Sequence, residues 1–191
     1  TPTKISQPKL YTFADALSWG EDSRTELLYG TPMLMAPPTR AHQKACGALF
    51  AQLYQYLQGK KCEVYPAPFA VRPFAQAGDT PEGTDTMVEP DITVVCDPDK
   101  LDDLGCKGAP DLVIEVLSPS TERHDRFVKF NLYERAGVQE YWLVNPQGKT
   151  VQSFVLEEGR YTAHGFAVAG EQMPVSVLAG CVLDLSQVFE E

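Results

Sequence analysis

The apolar positions of this chain change their period along its length, and each change marks an element. From Ala41 to Leu57 they fall at Ala45, Leu49, Leu53, Tyr56 and Leu57, the face of one helix, with the Pro37-Pro38-Thr39 breaker ahead and Gly59 beyond its end. Pro90 to Cys96 and Pro110 to Ser118 are short, β-branched apolar runs, each entered through a Pro-Asp pair, and they predict neighbouring strands. In the second run Leu112, Ile114 and Val116 share one side at strand period, and Asp111, Val113 and Glu115 the other. A carboxylate in so apolar a strand has to be paired, hydrogen-bonded or bound to a metal. Glu115 is therefore the residue against which the rest is read.

Elsewhere the pattern is shorter in range. Thr12 caps a helical stretch through Trp19, with Asp15 completing a capping-box variant and Gly20 ending it. Thr25 to Met35 predicts a hairpin turning at Gly30-Thr31-Pro32, with Glu26 in its first arm. Cys62 to Val71, broken by Pro66 and Pro68, fits a sheet edge or a bulge, and the polar stretch from Pro73 to Glu89 predicts a mobile loop. Asp97 to Gly108 is an acidic connection between the Pro-Asp strands. Ser118-Pro119-Ser120-Thr121 caps a helix to Arg135, stopped by Gly137, with Phe127, Phe130 and Leu132 among its apolar positions. Glu140–Val144 and Thr150–Leu156 flank a turn, with Trp142 and Phe154 expected on one face. A further strand begins near Tyr161, and the tail from Val175 to Phe189 suggests only an edge strand and a final turn.

No repeat or linker divides the chain, so residues 1–191 are expected to form one domain, and 43% hydrophobic composition suffices for a core. Five cysteines without a CxxC pair or a secretory leader predict reduced thiols in a cytoplasmic protein. No apolar run approaches the roughly 20 residues of a membrane span, which excludes membrane insertion. A net charge of −10 argues against a polyanionic partner, but the charge is unevenly placed. Residues 36–62 hold no acid against Arg40, Lys44, Lys60 and Lys61, whereas residues 79–103 are dense in Asp and Glu with Lys100 alone opposing them. Most of that acidic block reads as a solvated loop.

Asp91 and Glu115 are separated by one strand and its return. Two carboxylates meeting there would repel, and a hard divalent cation, Mg²⁺ or Mn²⁺, would compensate them. Alone, Asp91 reads as a turn residue after proline. Lys129 lies about two turns into the helix after Glu115, where its ammonium either returns to the carboxylates or pairs with Asp125 on a solvated face. His42 opens the basic helix, where phosphate is attracted, although capping or plain exposure explains it as well. His42 and Cys46 at i, i+4 form at best half of a zinc site. Ser118 and Ser120 fit capping better than nucleophilic catalysis.

Glu26-Leu27-Leu28-Tyr29-Gly30, His42-Gln43, Pro90-Asp91, the run Pro110 to Thr121, Lys129, Tyr133 and Gly137-Val138-Gln139-Glu140-Tyr141-Trp142 resemble the Uma-two family of restriction endonucleases, in order from about Tyr11 to the C-terminus. That resemblance places the chain in the PD-(D/E)xK nuclease superfamily. It implies a restriction-endonuclease-like α/β fold, a mixed central sheet flanked by the Ala41 and Thr121 helices, with an added N-terminal hairpin. It also implies a Mg²⁺-dependent endodeoxyribonuclease, with Asp91, Glu115 and Lys129 catalytic, Asp91, Glu115 and Glu26 on the metal, and Arg40, His42 and Lys44 binding DNA. The basic region of Arg40, Lys44, Lys60 and Lys61 is expected to meet the DNA backbone. The signature's lysine would fall at Leu117, which carries no charge, so Lys129 on the following helix takes its place. Asp111 competes with Asp91 but shares a strand with Glu115, whereas the signature uses a pair of strands. A homodimer is expected from the need to cut both strands symmetrically. The rival class is a non-catalytic nucleic-acid- or protein-binding module on the same fold.

Overall fold

A computed structural model describes residues 9–20 and 24–189. In chain order it contains α1 (Phe13–Leu17), a hairpin of β1 (Thr25–Leu28) and β2 (Thr31–Leu34), the long helix α2 (Arg40–Leu57), β3 (Glu63–Pro66), β4 (Val71–Arg72), β5 (Ile92–Val95), β6 (Leu101–Asp102), β7 (Gly105–Lys107) and β8 (Leu112–Val116). A π-helical turn, His124–Lys129, leads into α3 (Phe130–Ala136), followed by β9 (Glu140–Asn145), β10 (Thr150–Glu157), β11 (Arg160–Val168), β12 (Gln172–Pro174) and β13 (Val182–Asp184). The central sheet has the order β11-β10-β9-β8-β5-β3. Only β8 and β9 run parallel in it, so the sheet is mixed.

Strand β8 is buried at every position, as its continuous apolar run requires of a strand covered on both faces. Its even residues Leu112, Ile114 and Val116 pack with Trp142 and Val144 against Ala45, Leu49, Leu53 and Leu57 of α2. On the other face Val113 meets Tyr141, Leu143, Leu132 and Tyr133 under α3. Glu115 shares that parity and so points beneath α3. Thr12 and Asp15 make both bonds of the capping box on α1, and β3 lies at the sheet edge, where its Pro66 removes no needed donor. No helix among the described residues is long and apolar enough to cross a membrane.

Several expectations are corrected. The hairpin turns on Tyr29-Gly30, both at positive φ (49° and 76°), with Thr31 and Pro32 already in the returning strand; such a pair is what a two-residue turn with matching twist needs. The stretch before Glu89 is anchored, because Met87 and Val88 are buried and bridge to Leu27 and Val71. Trp142 and Phe154 face opposite sides: Trp142 stands opposite Ser153, while Phe154 stands opposite Tyr141, and one step of register exchanges the faces. The tail is core, with Val175, Leu178, Leu183, Leu185 and Val188 packed on the α2 face. Cys62 and Cys96 form a disulfide because β3 and β5 pair with Glu63 opposite Val95, which sets the preceding and following cysteines side by side. Cys46, Cys106 and Cys181 are the free thiols.

Phe127 is the last correction, and it locates the π turn. A π turn takes more residues than an α turn, so the apolar stripe loses its phase there: Phe127 is 63% exposed while Leu132 is 2% exposed. In a urea melt, Leu132→Ala is expected to cost about 2–5 kcal/mol, and Phe127→Ala less than about 0.5 kcal/mol. Similar losses from both would return Phe127 to the core and remove the phase shift.

Candidate active site

Three elements deliver charge to one buried point. Glu26 comes from β1, Glu115 from β8 and Lys129 from the end of the π turn, and none is more than 3% exposed. The Lys129 ammonium lies 2.7 Å from Glu26 Oε1, 2.9 Å from Glu115 Oε1 and 4.0 Å from Asp125 Oδ1. The sequence alternatives for Lys129 are thus both present, but the Asp125 pair is buried rather than solvated. Tyr133, one turn beyond Lys129, donates to Glu115 Oε1 at 2.7 Å. The backbone amide of Glu89 donates to Glu26 Oε1 at 2.9 Å. Tyr133 is one of the residues that carry the family resemblance, but no chemistry is assigned to it from the sequence; its i, i+4 spacing from Lys129 is the signal that points to this contact.

Burial is the largest influence on Glu115, Lys129, Asp125 and Tyr133, yet it does not decide them alike. It pushes the Glu115 carboxyl well above the usual range; Lys129 opposes this, and the charges of Asp125, Asp91 and Glu26 add to it. For Lys129, burial alone would favour the neutral amine, but Glu115, Glu26 and Asp125 outweigh it and hold the ammonium. Burial pushes Asp125 up from 3.8 to about 6, against the pull of Lys129. Tyr133 is kept protonated by burial and by Glu115, as a donor to a carboxylate must be.

Asp91 stands where β5 begins. Its Oδ2 accepts the Val116 amide at 2.8 Å and lies 3.1 Å from His42 Nε2. Val116 follows Glu115, so this bond fixes Asp91 beside the strand that carries Glu115. Asp111 does not compete for the place, since its Oδ2 accepts the Cys96 amide at 2.7 Å. With Nε2 facing a carboxylate, the other ring nitrogen of His42 faces the Cys46 sulfur at 3.6 Å. The amide of His42 bonds the Thr39 cap at 3.2 Å, so its ring, not the helix end, is what it offers the site.

A cleft of about 230 Å³ is lined by Glu26, His42, Asp91, Glu115, Asp125 and Lys129, among others. Arg40 and Lys44 are exposed on the first turns of α2. Lys60 and Lys61 follow its far end, roughly 25 Å along the axis from Lys44, and Lys60 stacks over Tyr56. The basic stretch is therefore not one surface. Ser118 Oγ is engaged with Ser120 and Thr121, a local hydroxyl cluster before the helix rather than a nucleophile and its base.

The profile of the Uma2 family, described as "Putative restriction endonuclease", matches residues 12–186. The chain belongs to the Uma2 family. A Synechocystis relative, the uncharacterized protein slr1290, is 31% identical over 132 residues, which span 68% of this chain and 65% of the relative. The fold is similar to that of a solved structure from Anabaena variabilis, described as a putative nuclease belonging to DUF820, with a TM-score of 0.69 at 18% identity over 93% of this chain and 97% of that one. At that identity the likeness shows the fold.

In this Uma2 chain the donor set fits a hard divalent cation. Both contacts of Asp91 fall on Oδ2 and both of Glu115 on Oε1, so each carboxylate has a second oxygen outside those bonds, the donor type Mg²⁺ and Mn²⁺ take. The charges fit as well, since Glu26, Glu115 and Asp125 surround the Lys129 ammonium, Asp91 adds its charge beside Glu115, and Arg24 is the other Lys or Arg side chain lining the cleft. Glu26 is held in the same way, its Oε1 shared between Lys129 and the Glu89 amide.

Removing the ammonium should strand buried carboxylates, so Lys129→Met is expected to lose roughly 3–5 kcal/mol in a urea melt; a loss below about 1 kcal/mol would mean that the carboxylates do not depend on it. Asp125 gives a pH signature. Its folded pKa of about 6 lies above the ordinary 3.8, so the folded state binds the proton more tightly, and the associated stability is present at low pH and lost as pH rises through that window. Melts from about pH 4 to pH 7 should show this decline in the wild type and a flatter profile in Asp125→Asn; parallel profiles would contradict the shift.

Proposed function

We propose that this chain is a Mg²⁺-dependent endodeoxyribonuclease, with Mn²⁺ able to substitute, that hydrolyses DNA phosphodiester bonds. One observation carries the reading: Asp91, just ahead of β5, and Glu115, on its antiparallel neighbour β8, line a single cleft with Lys129. Asp91 and Glu115 would hold the cation, with Glu26 beside them. When bound, the cation supplies a Lewis acid that offsets phosphate charge and makes water a better nucleophile at neutral pH. Lys129 offers an ammonium to the charge that builds on a phosphate oxygen. Glu26 and Tyr133 keep Lys129 and Glu115 in place, so the donors need not reorganise during reaction. Arg40 and Lys44 meet the DNA backbone, and the likeness to restriction endonucleases supports a homodimer that presents a site to each strand.

The observation favouring a non-catalytic module is the Lys129 ammonium itself, which bonds both Glu26 and Glu115 and offsets part of their charge without a metal. Glu115→Gln separates the readings. It keeps an acceptor for Lys129 and Tyr133 while removing the ligand charge and its burial penalty. Under the nuclease reading this variant folds within about 1 kcal/mol of wild type in EDTA but fails to nick plasmid DNA in Mn²⁺. Nicking at the wild-type rate, or an inactive wild type that binds no Mn²⁺ by calorimetry, would overturn it. Binding to DNA should weaken with salt less steeply once Arg40 and Lys44 are changed to Gln, with little change from Lys60→Gln and Lys61→Gln; equal effects of the pairs would put the DNA elsewhere.

A further inference from the structure

Asp91 and His42 line the cleft already described and also a second one of about 490 Å³ on the other side, where Cys46 joins them and Glu115 and Lys129 do not. Cys46 follows His42 by one turn of α2, so both side chains project from the same helix face toward the start of β5. Among the described residues, His42, Cys46 and Asp91 are the set of three whose ligand atoms all lie within 4.8 Å of one another. The 3.6 Å between Cys46 Sγ and His42 Nδ1 is the separation that a sulfur and a nitrogen keep on one tetrahedral ion with bonds of about 2.3 Å and 2.0–2.1 Å. Asp91 stands at the other ring nitrogen, 3.1 Å from Nε2, so it joins such an ion by swinging from Nε2 toward the Nδ1 edge. Thiolate, imidazole and carboxylate together suit a borderline-soft cation, whereas the all-oxygen pair of Asp91 and Glu115 suits a hard one.

We propose that Cys46, His42 and Asp91 form a separate site for Zn²⁺, and that filling it draws Asp91 toward the second cleft and switches off the Mg²⁺-dependent activity. Binding replaces the thiol proton, which passes to solvent, and leaves a fourth position facing the cleft. Three protein ligands and one open position make a zinc site that is not closed by protein, unlike the four-ligand structural kind. Asp91 is the shared member, so the hard and soft cations compete for one carboxylate without occupying one place. The inhibitory part rests on the nuclease reading; the site itself does not.

Co²⁺ as a spectroscopic stand-in tests the site without reference to activity, because a thiolate ligand gives it a near-ultraviolet charge-transfer band. The full chain is expected to show that band, to lose it in Cys46→Ser, and to bind Zn²⁺ more weakly by roughly tenfold or more in Cys46→Ser and His42→Gln, with melts showing both variants folded. Glu115→Gln, outside this site, keeps the band. A band that survives Cys46→Ser, or Zn²⁺ binding that is absent from wild type or indifferent to both substitutions, overturns the site. In plasmid nicking with Mn²⁺, added Zn²⁺ should stop the wild type and spare Cys46→Ser; equal inhibition of both overturns the switch. If no protein nicks DNA, the nuclease reading and the switch fall together, while the Co²⁺ band still decides the site.

Discussion

A single buried ammonium holds this structure to its arrangement. Lys129 meets carboxylates from the N-terminal hairpin, the central sheet and its own π turn, three elements that share no continuous apolar face at that point. At an effective dielectric of about 20, one contact near 3 Å is worth roughly 5–6 kcal/mol gross. Desolvation removes several kcal/mol per ion. The near balance means that the cluster adds little to net stability. Its effect is selective, since any packing that separates its members leaves a bare charge in the interior.

The π turn is what makes that meeting geometrically available. A regular helix after Ser120 would have put Phe127 on the apolar stripe; the wider turn leaves Phe127 and Val128 outside and sets Lys129 inside. The chain therefore exposes apolar surface in order to bury a cation, the reverse of what partitioning alone favours. Such inversions of the ordinary preference concentrate where chemistry constrains the backbone.

How much of this the sequence could disclose depended on range. The α2 face, β5, β8 and the first hairpin were legible because each repeats a period within itself, and Glu115 stood out because it breaks one. The preference for Asp91 over Asp111 came from the resemblance, whose signature uses two strands while Asp111 shares one with Glu115. Features set by pairing between distant segments were not legible. The Cys62–Cys96 bond and the opposite facing of Trp142 and Phe154 depend on register, which composition does not encode. The tail from Val175 to Phe189 looked weakly patterned because its residues fill gaps in a core built by others. Cys46 gained meaning only when the fold set Asp91 against His42.

The backbone ladder between β5 and β8 reaches Ile92 opposite Ile114 and then stops; the next acceptor for β8 is the Asp91 side chain, taken by the Val116 amide. The sheet forks at that step, with a carboxylate as the last rung. A main-chain group two residues from the final backbone pair is thus wired to the charge state of the residue on which the cleft depends. Val116 becomes a natural antenna: its amide proton shift and exchange rate register whatever Asp91 holds, a readout for either cation that needs neither a substrate nor a label.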